Sequence, residues 1–247
     1  MRTIEESYLV ELDPFFAEDL RQMERAVNYR RWQFRMVAPF LGGSVLEVGG
    51  GIGNFTIELA TSGRYVASLE PNEFCFRQLV EKTRGLANVR PLRATVEKLD
   101  VELAPGERFD SVVLMNVLEH ISDDRAVLTA LAGRLAPGGR LVVLVPAGQW
   151  AFGPIDERLG HFRRYDKGSA RRVFGEAGLR MEFLRYYNFA GIWGWWWNAR
   201  FGGREGQSDA QIRFFDRYVV PVVSRVERFI RPPVGQSILA VGSVIKP

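Results

Sequence analysis

The stretch Val45-Leu46-Glu47-Val48-Gly49-Gly50-Gly51-Ile52-Gly53-Asn54 decides the fold of this chain. Its first four residues read as the end of a buried strand, and its glycines form a tight turn before a helix over residues 54–60. Because glycine lacks a Cβ atom, the backbone of such a turn can approach a ligand closely. The stretch therefore predicts a strand, a ligand-binding turn and a helix, in that order.

The spacing of the glycines separates this turn from two common nucleotide-binding motifs. A dinucleotide-binding turn needs the pattern G-x-G-x-x-G, and counting from Gly49 its last position is Asn54. The pattern of a phosphate-binding P-loop is also absent from the sequence. The chain instead carries E-x-G-x-G-x-G, in which Glu47 precedes Gly49, Gly51 and Gly53.

Apolar runs alternate with helical patterns along the chain. Helices are predicted over residues 15–41, 54–60, 72–84, 123–135 and 167–177, and strands over 44–48, 65–69, 89–93, 109–114, 140–145, 179–189 and 236–245. This alternation indicates an α/β fold in which helices cover a mostly parallel sheet. Apolar residues over 212–229 recur at helical spacing, and Pro221 is expected to kink that helix.

An acid closes the second predicted strand, in the segment Glu70-Pro71-Asn72. A carboxylate at this place can accept hydrogen bonds from both hydroxyl groups of a ribose. Taken alone, Glu70 could equally well cap the helix that follows. Together with the glycine turn, it favours the binding of a nucleoside.

The glycine turn and the acid resemble the corresponding motifs of class I S-adenosylmethionine-dependent methyltransferases. Further segments match in the same order at residues 93–97, 115–120 and 135–141, so that the resemblance spans residues 28–189. It lies nearest to the small-molecule branch of the family, which shares the segment L-E-H-I and the later G-H-x-R-R-Y, here Gly160–Tyr165. The resemblance implies a seven-stranded Rossmann-like sheet with flanking helices and an antiparallel last strand.

The resemblance also implies S-adenosyl-L-methionine as cofactor and S-adenosyl-L-homocysteine as product. The glycine turn would hold the amino-acid end of the cofactor, and Glu70 would hold the ribose. The family often has Asp at the adenine, where this chain offers residues 95–97. The cofactor-binding residues so implied are Tyr29, Glu47, Gly49, Gly51, Gly53, Glu70, Pro71, Thr95, Val96, Glu97, Asn116, Val117 and His120.

One domain is expected over residues 1–247, because a chain of this length holds a single sizeable core. Within it we predict an N-terminal helical cap over residues 1–42 and a cofactor-binding core over 43–189. A helical insertion over 190–235 is expected to act as a substrate lid before the last strand, which falls in residues 236–247. The insertion contains a tryptophan cluster at 193–197 and a glycine-rich turn at 202–206.

Methyl transfer from a sulfonium is an in-line displacement that mainly requires a positioned acceptor and the exclusion of water. A neutral hydroxyl acceptor must also lose a proton, whereas a carboxylate acceptor needs only positioning. The two histidines, His120 and His161, both follow strands at the edge where open α/β sheets bind ligands. Cofactor contact is favoured over acid–base duty for His120. For His161, two roles are equally favoured: a catalytic role shared with Tyr165, and a role in ordering the loop.

Basic and aromatic residues late in the chain are candidates for binding the acceptor. Arg163 and Arg164 could clamp a carboxylate or phosphate, although such a run is more often a solvated helix face. Trp150 and Trp193 could line an acceptor pocket or touch lipid, with core packing as the alternative. No metal is expected, because neither histidine belongs to a compact His/Cys/carboxylate spacing.

The predicted function is methyl transfer to a small molecule, with an oxygen of a hydrophobic or anionic metabolite favoured as acceptor. Methylation of nitrogen or carbon, a lipid- or polyprenyl-linked substrate, and a non-catalytic partner protein with the cofactor fold stay open. A nucleotide-dependent oxidoreductase would need a different glycine register. Nucleic-acid substrates are not expected, because enzymes of this fold that methylate base amino groups resemble one another in an Asn/Asp-Pro-Pro-aromatic motif, and this chain has 116–119 as Asn-Val-Leu-Glu.

The composition of the chain indicates its class of protein and its cellular compartment, but it identifies no substrate. With 47% hydrophobic and 25% charged residues the chain should fold, and its net charge of +4 favours anionic partners in general. A single cysteine, Cys75, excludes an internal disulfide and fits a reducing cytoplasm. The N-terminus lacks the pattern of a targeting sequence, and the apolar runs fall short of the roughly 20 residues of a membrane span, which leaves peripheral membrane contact open.

Overall fold

The structure, a computed structural model, describes residues 23–201 and 209–245. Its strands are β1 (Ser44–Val48), β2 (Tyr65–Leu69), β3 (Val89–Leu92), β4 (Phe109–Met115), β5 (Leu135–Pro146), β6 (Leu179–Tyr187) and β7 (Ser237–Val244). Its helices are α1 (Val27–Val37), α2 (Asn54–Thr61), α3 (Glu73–Thr83), α4 (Leu99–Glu102), α5 (Asp124–Ala132), α6 (Pro154–Arg158), α7 (Lys167–Glu176), α8 (Phe189–Phe201), α9 (Asp209–Phe214) and α10 (Val220–Val226). The predictions for residues 1–22, 202–208 and 246–247, and for the side chain of Trp197, lie outside what is described.

The seven strands form one sheet in the order β3-β2-β1-β4-β5-β7-β6. Neighbours from β3 to β5 pair in parallel, and β7 runs antiparallel to both β5 and β6. The chain moves outward from β1 to β3 and then returns to β4, so the strand order reverses between β1 and β4. Ligands of open α/β sheets bind at such a reversal, beyond the carboxyl ends of the strands. The predicted Rossmann-like fold with an antiparallel last strand is confirmed.

The central strands are buried on both faces. Val45 and Leu46 are both fully buried, yet they belong to separate apolar clusters on opposite faces of the sheet. Successive side chains of a strand point to opposite faces, so helices on both sides require apolar residues at every position. This explains why β1 reads as a continuous apolar run. Glu47 is the exception within it, and that exception belongs to the site described below.

Several predicted boundaries are wrong, among them the start of β5 at Leu135, and the backbone gives the reason for two others. The helix predicted over 123–135 ends at Ala132, because Leu135 already pairs with Phe109 as the first residue of β5. The strand predicted over 179–189 ends at Tyr187, because Asn188 has a φ of 59° and turns the chain into α8. A left-handed conformation is one that asparagine tolerates better than most residues, and sequence patterns rarely reveal it.

The cap and the insertion are joined through Asp216. Its carboxylate accepts hydrogen bonds from the amide of Tyr29 at 2.8 Å and from the amide of Asn28 at 3.3 Å, and both amides lie in the first turn of α1. Ala26, the residue before this helix, has no side chain that could cap it. Asp216 lies in a π-helical turn over residues 215–219, directly before α10 with Pro221 near its start. A residue distant in sequence thus supplies the cap of α1.

Within the part of the chain that the structure describes, no helix is both long enough and apolar enough to cross a membrane.

We expect Asp216→Ala to lower the free energy of unfolding by about 1–2 kcal/mol, because two helix-terminal amides lose their acceptor. Asp209→Ala is the matched control, since Asp209 pairs with Arg25 while both side chains are 40–53% exposed. Such a pair contributes little, so the control should change stability by less than about 0.5 kcal/mol. Urea denaturation of both variants measures the difference, and equal losses would contradict the capping role.

Candidate cofactor and acceptor site

The glycine turn follows β1 at the reversal of the sheet. Gly49, Gly51 and Gly53 have φ angles of 75°, 54° and 84°, a region that side chains disfavour. The amides of Gly49 and Gly50 both donate to the carbonyl of Leu69, at 2.8 and 3.0 Å. The turn is therefore held against the end of β2 by backbone hydrogen bonds.

The turn also packs against the segment that follows β4. A Cβ atom at Gly49 would lie 2.4 Å from a methyl group of Val117, closer than atoms can approach. The neighbouring Asn116 has a φ of 53° and an exposed side chain. The predicted cofactor residues of the turn and of this segment are thus brought together.

Glu47 supports the glycine turn from inside the protein. Its carboxylate is 1% exposed and accepts hydrogen bonds from the hydroxyls of Thr56, at 2.5 Å, and Ser68, at 2.6 Å. Burial raises the pKa of Glu47, and these two hydroxyls oppose that rise. The resemblance implies a cofactor-binding role for Glu47. Its contacts link β1, β2 and α2, so any influence on a ligand passes through the shape of the turn.

Glu70 closes the end of β2 and faces the turn. One carboxylate oxygen accepts a hydrogen bond from the amide of Gly51 at 2.8 Å, and the other accepts one from the amide of Asn72 at 2.9 Å. The side chain of Asn72 accepts from the amide of Cys75 and so caps α3. Asn72 therefore caps α3, and the carboxylate of Glu70 is not needed for that cap.

Burial makes the carboxyl group of Glu70 an unusually weak acid. The residue is 7% exposed, and burial raises its pKa to about 7 in spite of the two backbone hydrogen bonds. Each carboxylate oxygen has a second lone pair for a further donor. The group can accept hydrogen bonds from a diol when it is ionised, which happens near neutral pH.

The segment predicted to enclose the adenine follows β3, at the same edge of the sheet. Thr95 and Val96 are half-buried and Glu97 is exposed, at the start of a short helical turn over residues 96–98. Pro71 is half-buried after β2. Because β3, β2, β1 and β4 are neighbours, these segments line one continuous edge.

Tyr29, which the resemblance implies as a cofactor-binding residue, directs its hydroxyl towards the ends of β6 and β7, and its contact with a cofactor stays a prediction. Burial raises the pKa of its hydroxyl, which lies among the side chains of Ser237, Asn188 and Gln33. Ser237 begins β7, and three strand spacings, roughly 14 Å, separate β7 from β1. Tyr29 therefore ties α1 to the ends of β6 and β7.

The two histidines meet after β4 and β5, although they are distant in sequence. Their ring centroids are 4.7 Å apart in an edge-to-face arrangement. The amide of Phe162 donates to the carbonyl of Glu119 at 2.8 Å, so the loop carrying His161 is bonded directly to the turn carrying His120. One potential ligand atom from each of Glu119, His120 and His161 lies within 4.8 Å of the others.

Glu119 is the residue of this group that the sequence prediction missed. It is fully buried, burial raises its pKa to about 8, and burial together with His161 lowers the pKa of His120 to about 3. The sequence did contain a signal that these residues lie close together, because Glu119 and His120 follow one strand and His161 follows the neighbouring one. The expectation that no metal binds depended on the linear separation of these residues, and the fold removes that separation.

Asp156 orients His161. Its carboxylate is fully buried and lies 2.7 Å from Nδ1 of His161 and 2.8 Å from Nε of Arg164. Although burial opposes ionisation, the hydrogen bonds from His161 and Arg164 hold the pKa of Asp156 below its usual range. Nδ1 of His161 therefore carries the proton and donates it, and Nε2 is the remaining ring nitrogen.

Tyr165 and Arg163 do not have the geometry expected of a base and a substrate clamp. Tyr165 is 2% exposed and its hydroxyl donates to Asp124 at 2.8 Å, while burial and Asp124 raise its pKa. Arg163 pairs with the same carboxylate at 2.8 Å and donates to the carbonyl of Ser122. Both side chains fasten the loop to the start of α5, which corrects their predicted roles.

Arg164 is likewise occupied inside the protein. It is 4% exposed, donates to Asp156 and Ala147, and lies 4.5 Å over the ring of Trp195. The predicted clamp on an anionic acceptor is therefore corrected to a contact between the loop and α8. Neither this arginine nor Arg163 is a solvated helix face.

Trp150 and Trp193 are the two predicted acceptor residues that reach the surface. They are 52% and 55% exposed, and their ring centroids are 6.3 Å apart. A cleft of about 310 Å³ beside them is lined by Gly148, Gln149, Trp150, Asp166, Tyr186, Val234 and Gly235. It contains none of the glycine turn or Glu70, so it is separate from the proposed cofactor edge.

The chain is similar in sequence to known methyltransferases. A family model described as a methyltransferase domain matches residues 19–199. The ubiquinone biosynthesis O-methyltransferase of Cereibacter sphaeroides is 37% identical over 106 residues, which are 42% of this chain and 41% of the relative. The chain thus spans about two fifths of the length of the curated relatives it matches.

Solved structures share the fold. A SAM-dependent methyltransferase from Archaeoglobus fulgidus has a TM-score of 0.61 at 15% identity, covering 93% of this chain and 99% of that one. A complex of the Haloferax volcanii Trm112 methyltransferase activator with a methyltransferase gives a TM-score of 0.63 at 16% identity, covering 95% and 99%. At these identities the likeness establishes the fold alone.

We expect Gly49→Ala to destabilise the protein by about 3 kcal/mol or more, because the new methyl group would have to displace Val117 as well as strain the backbone. Gly63→Ala is the matched control, since Gly63 has a similar φ of 86° but nothing within 4 Å of a Cβ. That variant should lose only about 1 kcal/mol from backbone strain. Urea denaturation compares them, and equal losses would show that the contact with Val117 is unimportant.

Proposed function

Because this chain belongs to the methyltransferase domain family, we propose that it transfers the methyl group of S-adenosyl-L-methionine to an oxygen of a hydrophobic small molecule. The observation that carries the proposal is the hydrogen bond between the amide of Gly51 and the carboxylate of Glu70. It places a glycine turn and a nearly buried carboxylate side by side at the reversal of the sheet. A nucleoside joined to an amino acid fits this pair.

The cofactor would lie along the carboxyl edge of β3, β2, β1 and β4. Its ribose hydroxyls would donate to Glu70, and its amino-acid end would lie on the backbone of the glycine turn. The adenine would lie beside the segment after β3, where backbone groups replace the Asp that is common in the family. The residues proposed to contact it are Gly49, Gly51, Gly53, Glu70, Pro71, Thr95, Val96, Glu97, Asn116, Val117 and His120.

The reaction breaks the bond between the sulfonium sulfur and the methyl carbon while a bond from the acceptor oxygen to that carbon forms. The electron pair of the broken bond stays on sulfur, and the products are S-adenosyl-L-homocysteine, the methylated acceptor and a proton. The chain supplies alignment and the exclusion of water. His161 lies two strands from the glycine turn, on the side where the acceptor would enter, and we retain it as the candidate that acts on the acceptor oxygen.

The choice of oxygen and of a hydrophobic acceptor has two supports. The relatives that match part of the chain are named O-methyltransferases of ubiquinone biosynthesis. The exposed pair Trp150 and Trp193 offers apolar surface at the rim of the fold. The helical insertion over residues 190–235 would then act as the lid that covers the acceptor. A biosynthetic role in the cytoplasm follows as part of the same proposal, since the single cysteine is a buried thiol.

The pH dependence of cofactor binding tests the role of Glu70. The pKa of the free carboxyl is raised to about 7, and the ionised form is the one that accepts both ribose hydrogen bonds. Affinity for S-adenosyl-L-homocysteine should therefore weaken as the pH falls below 7 and level off above it. Titration calorimetry between pH 5.5 and 8.5 measures this.

Glu70→Gln should remove that pH dependence and weaken binding roughly 10- to 150-fold at pH 8, the equivalent of losing one charge-assisted hydrogen bond of about 1.5–3 kcal/mol. Glu81→Gln is the control, because Glu81 is an exposed carboxylate paired with Arg84. It should bind like the wild type. A pH-independent wild type, or a Glu70→Gln variant of unchanged affinity, would contradict the assignment.

Turnover decides whether the protein is an enzyme. Methyl-labelled S-adenosyl-L-methionine should transfer its label to a phenol with an apolar tail, but not to the same compound already O-methylated. An aniline of the same shape serves as the nitrogen acceptor. Labelling of the aniline alone would overturn the choice of oxygen. Cofactor binding without transfer to oxygen, nitrogen or carbon acceptors would favour a non-catalytic partner protein.

A further inference from the structure

An apolar stripe lies on the outer face of the helical segment over residues 209–230. Five of its members follow one another at intervals of four residues, and Phe229 lies next to the last. All six side chains are 39–89% exposed: Phe214, Tyr218, Val222, Val226, Phe229 and Ile230. The inner face of the segment supplies the core, since Val220 and Val223 are 1% and 6% exposed. Surface helices normally direct polar residues outward, so a second apolar face is typical of a surface that meets a partner.

The π-helical turn over residues 215–219 helps to keep the apolar stripe on one side. It lies between α9 and α10 without a break in the helix. Four residues make more than one full turn of an α-helix, so positions four apart drift around its axis. A π-helical turn closes i→i+5 hydrogen bonds and takes more residues, so the drift there runs the other way. The turn therefore offsets part of the drift along the stripe.

Arginines flank the apolar stripe, and most carboxylates of the same segment are occupied elsewhere. The exposed arginines are Arg213, Arg217, Arg225, Arg228 and Arg231. Asp216 caps α1, and Glu227 is 2% exposed. Asp209 pairs with Arg25 at 2.8 Å and lies 3.7 Å from Arg213. The exposed face therefore keeps an excess of positive charge.

Helix α1 adds to this positive charge. Arg31 and Arg35 are exposed, and their separation of four residues places them on one face of the helix. Burial and the charges of Arg228, Arg31 and Arg225 lower the pKa of Arg35. Guanidinium groups from α1 and from the end of α10 thus lie close enough to act on one another. Such a concentration of like charge attracts anions.

We propose that the apolar stripe and its flanking arginines dock on the surface of an anionic lipid bilayer. An amphipathic helix that lies in the bilayer interface buries its apolar side chains among acyl chains, while its arginines contact anionic headgroups. A nucleic acid would match the arginines and leave the apolar stripe exposed. A second copy of the chain would match the stripe and bring like charges together. An anionic bilayer is the partner that fits both features.

The apolar stripe ends beside the edge of the sheet at which ligands bind. Phe229 and Ile230 follow Glu227, whose carboxylate accepts hydrogen bonds from the amides of Asn188 and Phe189 at 3.1 and 2.9 Å. Both amides come directly after β6, which ends at the carboxyl edge of β5 because β7 runs antiparallel to both strands. If the proposed function holds, a docked chain would take an apolar acceptor directly from the lipid phase.

Arg185 fixes the turn that exposes Phe229. Its guanidinium donates to the carbonyls of Glu227 and Ile230, one on each side of Phe229 in the sequence. The Phe229 ring is 89% exposed on this turn. Because the turn is already ordered, little further ordering is needed when the ring enters a bilayer.

Sedimentation with lipid vesicles tests docking on the full chain, without cofactor or acceptor. The wild type should bind vesicles of phosphatidylcholine and phosphatidylserine at least tenfold more tightly than vesicles of phosphatidylcholine alone. Added NaCl should weaken this binding, because salt screens the arginines. Phe229→Ser should weaken it about tenfold or more, since an aromatic side chain no longer enters the lipid. The double variant Arg225→Gln/Arg228→Gln should weaken it about 25-fold, or about fivefold for each charge.

Each variant has a matched control elsewhere on the surface. Val101→Ser removes an apolar side chain that is 84% exposed on α4. Arg77→Gln/Arg84→Gln makes the same change in net charge, at side chains that are 78% and 74% exposed. Both controls should bind the anionic vesicles like the wild type. Urea denaturation should give every variant the midpoint of the wild type, because all the substituted side chains are exposed.

The proposal is overturned if the wild type binds neither kind of vesicle or binds both equally, or if the controls lose as much affinity as the stripe variants. It is also overturned if analytical ultracentrifugation shows a dimer that Phe229→Ser dissociates while vesicle binding is unchanged. The assay separates docking from the proposed function. Docking without methyl transfer would support the docking surface and count against the function, and methyl transfer by a chain that ignores vesicles would do the reverse.

Discussion

The hydrogen bond from the amide of Gly51 to the carboxylate of Glu70 holds together the part of the structure on which the rest depends. It joins the turn after β1 to the end of β2, in parallel with the bonds from Gly49 and Gly50 to Leu69. The turn can adopt this shape only because its glycines tolerate positive φ angles and leave room for Val117. The edge at which a nucleoside would bind therefore comes from backbone geometry, and Glu70 is buried as a consequence.

A second network, centred on Asp156 and Asp124, orders the loop after β5. Asp156 holds His161 and Arg164, while Asp124 holds Tyr165 and Arg163. Two buried or half-buried carboxylates thus account for four residues of the segment G-H-x-R-R-Y. Three of these four fasten the loop, and only His161 is presented to the neighbouring turn. The arrangement explains why Arg164 and Tyr165 are buried although the segment is so polar.

The two networks meet through β4. Val117 packs on the glycine turn, and two residues later Glu119 faces the histidines. The short segment after β4 therefore contacts the proposed cofactor edge on one side and the loop that carries His161 on the other. A methyl donor and its acceptor need such closeness, because in-line transfer tolerates little misplacement.

The sequence by itself determined the strands, the glycine turn and the acid after β2, since each depends on local periodicity, on backbone freedom or on a residue adjacent to a strand end. It also determined the antiparallel seventh strand through the resemblance to a family. Only the tertiary structure decided what the later residues do. Tyr165, Arg163 and Arg164 are occupied by carboxylates that the loop and α5 bring to them, and Tyr29 is drawn to β7. Glu119 joins His161 across 42 residues of chain, because parallel strands place their carboxyl ends side by side whatever their separation in sequence.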